Sequence, residues 1–173
     1  MKATGDTVIQ FSGLKCGRYE YEYMLDDTFF RAFENEELQC GKVYFKVVLE
    51  KQTRLMMFRF IFKGEIESVC DRCLGKMKVP VEGERTMCVK LMSDVEDKQE
   101  DEDVTLLPET SYQLDLAQWM YEYVVMAMPI QHVHAAADCD PDMLRRINDD
   151  RIEVQPDSVD PRWEALLKLN DKQ

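Results

Sequence analysis

The sequence predicts an α+β fold: an antiparallel β-sheet of consecutive hairpins packed with a few helices, with a Cys-x-x-Cys turn at a hairpin tip. Three observations predict it. Residues 42–62 and 77–92 alternate polar and apolar side chains with period two, the mark of strands with one buried face. From Asp115 the apolar positions change to helical spacing, with Leu116, Trp119, Met120, Tyr123 and Ala127 in one stripe. Between the strand-like stretches lies Val69-Cys70-Asp71-Arg72-Cys73-Leu74-Gly75, whose paired thiols can bite one metal ion from a single tight turn. Gly75 suits the positive φ that such a turn often needs.

Taken in order, Val8-Ile9-Gln10-Phe11 reads as a short strand closed by Ser12 and Gly13. Residues 18–24 alternate cleanly and put Tyr19, Tyr21 and Tyr23 on one face. Asp26 or Asp27 caps a short helix carrying Phe29, Phe30 and Phe33. In the next strand Val43, Phe45, Val47 and Leu49 face one way while Lys42, Lys46 and Glu50 face the other. Gln52-Thr53 is the hairpin tip, and residues 54–62 return. Residues 77–92 form a further strand pair or a bent strand, with Gly83 marking a break. Asp115 and Gln118 resemble a capping box, and Pro129 ends the core helix that follows. Asp140-Pro141 and Asp160-Pro161 each start a short helix; the first buries Met143, Leu144 and Ile147, the second Trp163, Leu166 and Leu167.

The 173 residues are read as one domain, 1–173, large enough to bury a core without crosslinks. The first residues lack the apolar run of a signal peptide, no stretch approaches membrane-spanning length, and the expected location is cytoplasmic. There the six cysteines stay reduced and do not form a disulfide framework. The net charge of −12 argues against a general nucleic-acid coat, but it is unevenly spread. Residues 1–41 carry −4, residues 42–90 carry +5 and residues 91–173 carry −13. A polyanion would bind in the middle segment, where Arg72, Lys76 and Lys78 flank the cysteine turn and Lys42, Lys46 and Arg59 share the sheet. Seven acidic residues against one lysine between Asp94 and Asp103 predict a mobile acidic loop over 94–110, solvated or docking a basic partner.

A structural zinc site needs four soft or borderline ligands, and Cys70 and Cys73 supply a pair. The remaining ligands come from the segment after the core helix, which holds the chain's only histidines, His132 and His134, and Cys139. The preferred set is Cys70, Cys73, His134 and Cys139; His132 is the alternative, since an extended segment puts both histidines on one face. Cys16, Cys40 and Cys88 have no partner at ligand spacing. There is no phosphate-binding glycine loop, no HExxH and no nucleophile elbow, so no catalytic residue is assigned. A thiol oxidoreductase using Cys70 and Cys73 is the runner-up, disfavoured because redox Cys-x-x-Cys pairs lead from a strand into a helix. A metal-free interaction domain is the third reading.

Cys70-Asp71-Arg72-Cys73-Leu74 with its preceding hairpin and Val79-Pro80-Val81 resembles the YceD-like family, bacterial and plastid proteins linked to accumulation of large-subunit ribosomal RNA. Leu114-Asp115-Leu116, the helix ending in Met128-Pro129, and the closing Asp160-Pro161-Arg162-Trp163-Glu164-Ala165-Leu166 are also similar to the family. His134 and Cys139 follow Pro129 at offsets that match members of the enterobacterial type; His132 does not. The resemblance implies a link to large-subunit rRNA accumulation and gives no reaction; joined to the ligand set above, the expectation is a non-enzymatic, zinc-stabilised protein assisting rRNA accumulation, processing or ribosome assembly. Its partner is then ribosomal RNA or a basic ribosomal protein.

Overall fold

A computed structural model describes residues 7–35, 38–93, 104–135 and 137–149. It is an α+β fold in which a five-stranded sheet, ordered β2-β3-β4-β5-β6, holds most of the chain. Strand β1 (Val8–Gln10) stands apart and pairs antiparallel with β7 (Gln113–Asp115). β2 (Gly17–Leu25), β3 (Gly41–Lys51), β4 (Leu55–Val69) and β5 (Lys76–Met92) follow one another in antiparallel register. The alternation of their sequences is the alternation of their burial. Val43, Phe45, Val47 and Leu49 of β3 and Met56, Phe58, Phe60 and Phe62 of β4 all point into the core.

Helix α1 (Asp27–Arg31) is capped by Asp26, whose carboxylate accepts from the amides of Thr28 and Phe29. It delivers Phe29 and Phe30 to the same core. Helix α2 (Ala117–Ala127) lays Met120, Tyr123 and Val124 against the sheet, and Tyr123 meets Phe60 edge-on at 5.0 Å between ring centroids. Helix α3 (Pro141–Asp149) begins at the Asp140 cap, whose Oδ1 accepts from Asp142 N at 2.8 Å.

Several expectations are corrected. The chain from Lys76 to Met92 is one unbroken strand, and Gly83 is no break. It sits opposite Phe62, where a Cβ would come within 2.8 Å of the ring, so the glycine makes room for an aromatic. The acidic loop expected over 94–110 is cut short by β6 (Val104–Pro108), a Val-Thr-Leu-Leu run that pairs parallel with the end of β5. The sheet is therefore mixed, because the chain crosses back before pairing instead of turning tightly. The charged run 94–103 lies outside the described residues.

The α2 N-cap is Leu116, one residue later than expected; Asp115 still accepts from the Ala117 amide, but Gln118 reaches forward to Glu122, so no capping box forms. Ile147 is 40% exposed, unlike Met143 and Leu144, which are partly buried. The helix expected after Asp160 lies outside the described residues.

The outward face of the sheet is a ladder of cross-strand ion pairs: Lys46–Glu20 at 2.8 Å, Arg59–Glu84 at 3.5 Å, Lys63–Glu82 at 3.2 Å and Lys78–Glu65 at 3.3 Å. Each exposed pair contributes little stability. They engage Lys46, Arg59, Lys63 and Lys78 within the sheet, while Lys42, Arg85 and Lys90 make no ion pair among the described residues.

Gly64 tests how tightly β4 is held. A Cβ there would fall on the backbone of Lys42 and come within 2.6 Å of Val43 Cα, and backbone cannot swing aside. Gly64→Ala is expected to lower the unfolding free energy by about 3 kcal/mol in urea titration. Gly13→Ala, where a Cβ would meet nothing within 4 Å, should change it by less than about 0.5 kcal/mol. Equal effects would show that the strands can part.

Candidate metal centre

The last ladder pair of β4 and β5 is Val69 with Lys76, and residues 70–75 connect the strands. The connection is closed by its own backbone: Cys70 N donates to Gly75 O at 2.8 Å, and Leu74 N donates to Cys70 O at 2.9 Å. Its left-handed residue is Leu74, at φ 58°, and not Gly75 as the sequence suggests. Gly75 serves another purpose. A Cβ on it would stand 3.3 Å from Cys73 Sγ and 3.4 Å from His134 Cε1, so the missing side chain is what lets thiol and imidazole approach.

The second half of the cluster arrives along the segment after α2. Pro129 prevents the helix from continuing, and the chain runs extended back past the sheet. Asp71 catches it twice. Its amide donates to His132 O at 2.7 Å, and its Oδ2 accepts from His132 N at 2.7 Å. Two residues on, His134 N donates to Cys70 Sγ at 3.5 Å. A turn closed by Asp138 N donating to Ala135 O then brings in Cys139, just before the α3 cap. Met77, Val133, Met143 and Leu144 pack around the three buried cysteines.

Cys70, Cys73, His134 and Cys139 each offer one ligand atom, and these atoms all lie within 4.8 Å of one another. His134 Nδ1 is 3.3 Å from Cys73 Sγ and 4.0 Å from Cys139 Sγ. A tetrahedral centre with metal–ligand bonds of about 2.0–2.3 Å has ligand edges of roughly 3.3–3.8 Å, so the group needs only a small contraction to close on an ion. The far ring nitrogen, Nε2, lies 3.3 Å from Lys76 O. A carbonyl can only accept, so Nε2 carries the proton and Nδ1 turns its lone pair to the sulfurs. Such a backbone contact orients an imidazole ligand.

The electrostatics agree with a cation-ready cluster. Burial raises the Cys70 thiol, but the amides of Cys73, His134 and Arg72 outweigh it and bring the pKa down to about 6. Cys73 is lowered by the backbone amides of Asp140 and Gly75, and also by His134. His134 is raised, first by its contact with Cys73. Cys139 is pushed up to about 11, by burial first and then by Cys73 and Cys70. Two sulfurs are thus held towards thiolate and the third keeps its proton beside them.

His132 stays out of the cluster: its Nδ1 is 3.1 Å from Ser68 Oγ, and its Nε2 is buried without a hydrogen-bond partner. Cys16 is exposed, and Cys40 and Cys88 are half-buried elsewhere. Arg72 and Lys76 flank the cysteine connection, and neither makes an ion pair among the described residues; Lys78 is spent on Glu65. The sequence reading missed Asp71 as the clamp. A carboxylate binding main chain leaves no spacing signature, although an Asp between paired cysteines is a position from which it can reach outwards.

If the cluster holds a metal ion, Asp71→Ala is expected to weaken its binding by about 10–100-fold in a competition titration, as loss of a group orienting the ligands does elsewhere. Cys88→Ser should leave the affinity unchanged. Wild-type affinity in Asp71→Ala would show that the cysteine connection and the histidine segment dock without the clamp.

Neither the curated proteins nor the solved structures searched gave a match to this chain. A family model does match, over residues 58–170, taking in β4, β5, the cysteine connection and the whole of the segment that meets it. The chain belongs to the family of the large ribosomal RNA subunit accumulation protein YceD.

Proposed function

We propose that this chain is a non-enzymatic protein that assists accumulation of large-subunit ribosomal RNA, through its processing or through ribosome assembly, and that zinc locks its fold. The observation that carries the reading is the convergence of Cys70, Cys73, His134 and Cys139 in a chain of this family. Three sulfurs and one imidazole suit zinc far better than a hard cation such as magnesium or calcium. Four protein donors leave no open position for a substrate or an activated water, which supports a structural role. The ion would close a loop between residues 61 apart, Cys73 and His134, pinning the cysteine turn at the hairpin tip to the segment after α2. Such binding contributes about 10 kcal/mol to folding at neutral pH.

A basic ribosomal protein is the better-supported partner. Four of the sheet's cations, Lys46, Arg59, Lys63 and Lys78, are paired with carboxylates, and the chain as a whole carries −12. Direct contact with rRNA falls to Arg72 and Lys76 beside the cysteine turn. No helix among the described residues is long and apolar enough to cross a membrane, and the proposed site of action is the cytoplasm. The lowered Cys70 thiol also suits a thiol oxidoreductase, but Cys70 is 0% and Cys73 5% exposed, which denies a disulfide substrate access.

Protein purified without added metal or chelator should contain close to one zinc per chain. Cys73→Ala and His134→Ala should lose the metal and melt well below wild type, while His132→Ala keeps the metal. Unchanged melting in Cys73→Ala, or thiols that alkylate at the same rate before and after chelation, would overturn the zinc reading.

If rRNA is contacted, a gel shift at low salt should show a complex. Removing Arg72 and Lys76 together should then reduce the salt slope by about 2, and Lys78→Ala should leave it unchanged. No shift at low salt leaves the protein partner.

A further inference from the structure

Beside the cysteine connection lies a groove of about 610 Å³, within the usual size of a binding cleft. Val69, Val125, Met128 and Ile130 give it apolar walls, and Glu67 and Lys76 stand among its polar lining. Val69 is 50% exposed, Val125 41%, and Ile130 fully so. Apolar side chains gathered around one concavity mark a docking site. No ion pair or core contact of the described residues covers this one.

We propose that residues 161–169 of this same chain dock in the groove. Four observations choose this occupant. The chain continues past α3 from residue 150 to 173, and α3 packs on the cysteine connection that gives Asp71 to the groove, through Met143 and Leu144 on the cysteines and the Asp140 amide on Cys73. The polar stretch 150–160 can reach up to about 35 Å when extended, more than enough to turn back. In the segment, Trp163, Leu166 and Leu167 recur at the spacing of one helix face, and Arg162, Lys168 and Glu164 supply partners for Glu67 and Lys76. The family match runs through residue 170, so the segment and the groove walls fall within one recurring unit.

The docking does not rest on the zinc reading, and a segment that engages Lys76 would leave Arg72 as the cation open to rRNA. It would make the groove an internal joint that fastens the C-terminal segment over the flank of the cysteine connection.

The full chain labelled with 5-fluorotryptophan tests this by fluorine NMR, Trp163→Phe assigning the two indole resonances. The expected result is a Trp163 resonance well away from the solvent-exposed position, moving to that position in Ile130→Asp and in Val125→Asp. Trp119, on α2, reports that each variant is still folded. A Trp163 resonance at the solvent-exposed position in the wild type overturns the proposal. So does a shifted resonance that neither substitution moves. A shift that disappears on dilution assigns the segment to a second copy and overturns it too.

Discussion

The cysteine and histidine cluster depends on a two-point contact in which Asp71, through its amide and its carboxylate, holds the backbone of His132. Everything before Asp71 is organised by strand pairing, in which each hairpin sets the register of the next. Among the described residues after α2 there is no strand. Asp71 supplies what is missing: one donor and one acceptor, both at 2.7 Å, that extend the hydrogen bonding of the β4–β5 arm onto a segment from the far end of the chain. Once His132 is fixed, His134 faces Cys70 and Cys73, and Cys139 is one turn away. The sulfurs and the imidazole therefore meet because the backbone has already been positioned. A bound cation then finds its ligands largely in place.

How much of this was legible in the residues divides along physical lines. Strands β2 to β5 were readable because half-buried strands write their burial into every second side chain. Helix α1 was readable from Asp26, because a cap has a residue type and a fixed offset. The cysteine and histidine grouping was readable because only a few side chains can play that part, and they fall in two short stretches. What escaped has no such signature. Parallel pairing of β6 depends on where a crossover lands, not on the strand's own pattern. Gly83 and Gly75 were read as conformational punctuation, yet each is an absence of side chain required by a neighbour: Phe62 in one case, a thiol and an imidazole in the other. The left-handed turn went to Leu74, a residue type that pays about 1–2 kcal/mol for it.

Charge in this protein is better understood by arrangement than by sum. Four cations of the basic middle segment, Lys46, Arg59, Lys63 and Lys78, meet carboxylates across the strands, so part of its charge is balanced where it lies. Arg72 and Lys76, which flank the cysteine connection, make no ion pair among the described residues. Among the described residues, that end of the fold therefore brings together the cluster, the exposed apolar walls of the groove and the uncommitted side chains of Arg72 and Lys76.

The uninterrupted pairing of β4 with β5 makes the molecule a ruler. The cysteine connection sits at one end of the ribbon, and the start of the crossover to β6 leaves from the other, at Met92. From Lys76 to Met92 the strand has a contour length of roughly 53 Å at about 3.3 Å per residue. A continuously hydrogen-bonded strand cannot fold back on itself, so anything grasped at the two tips is kept at a set separation.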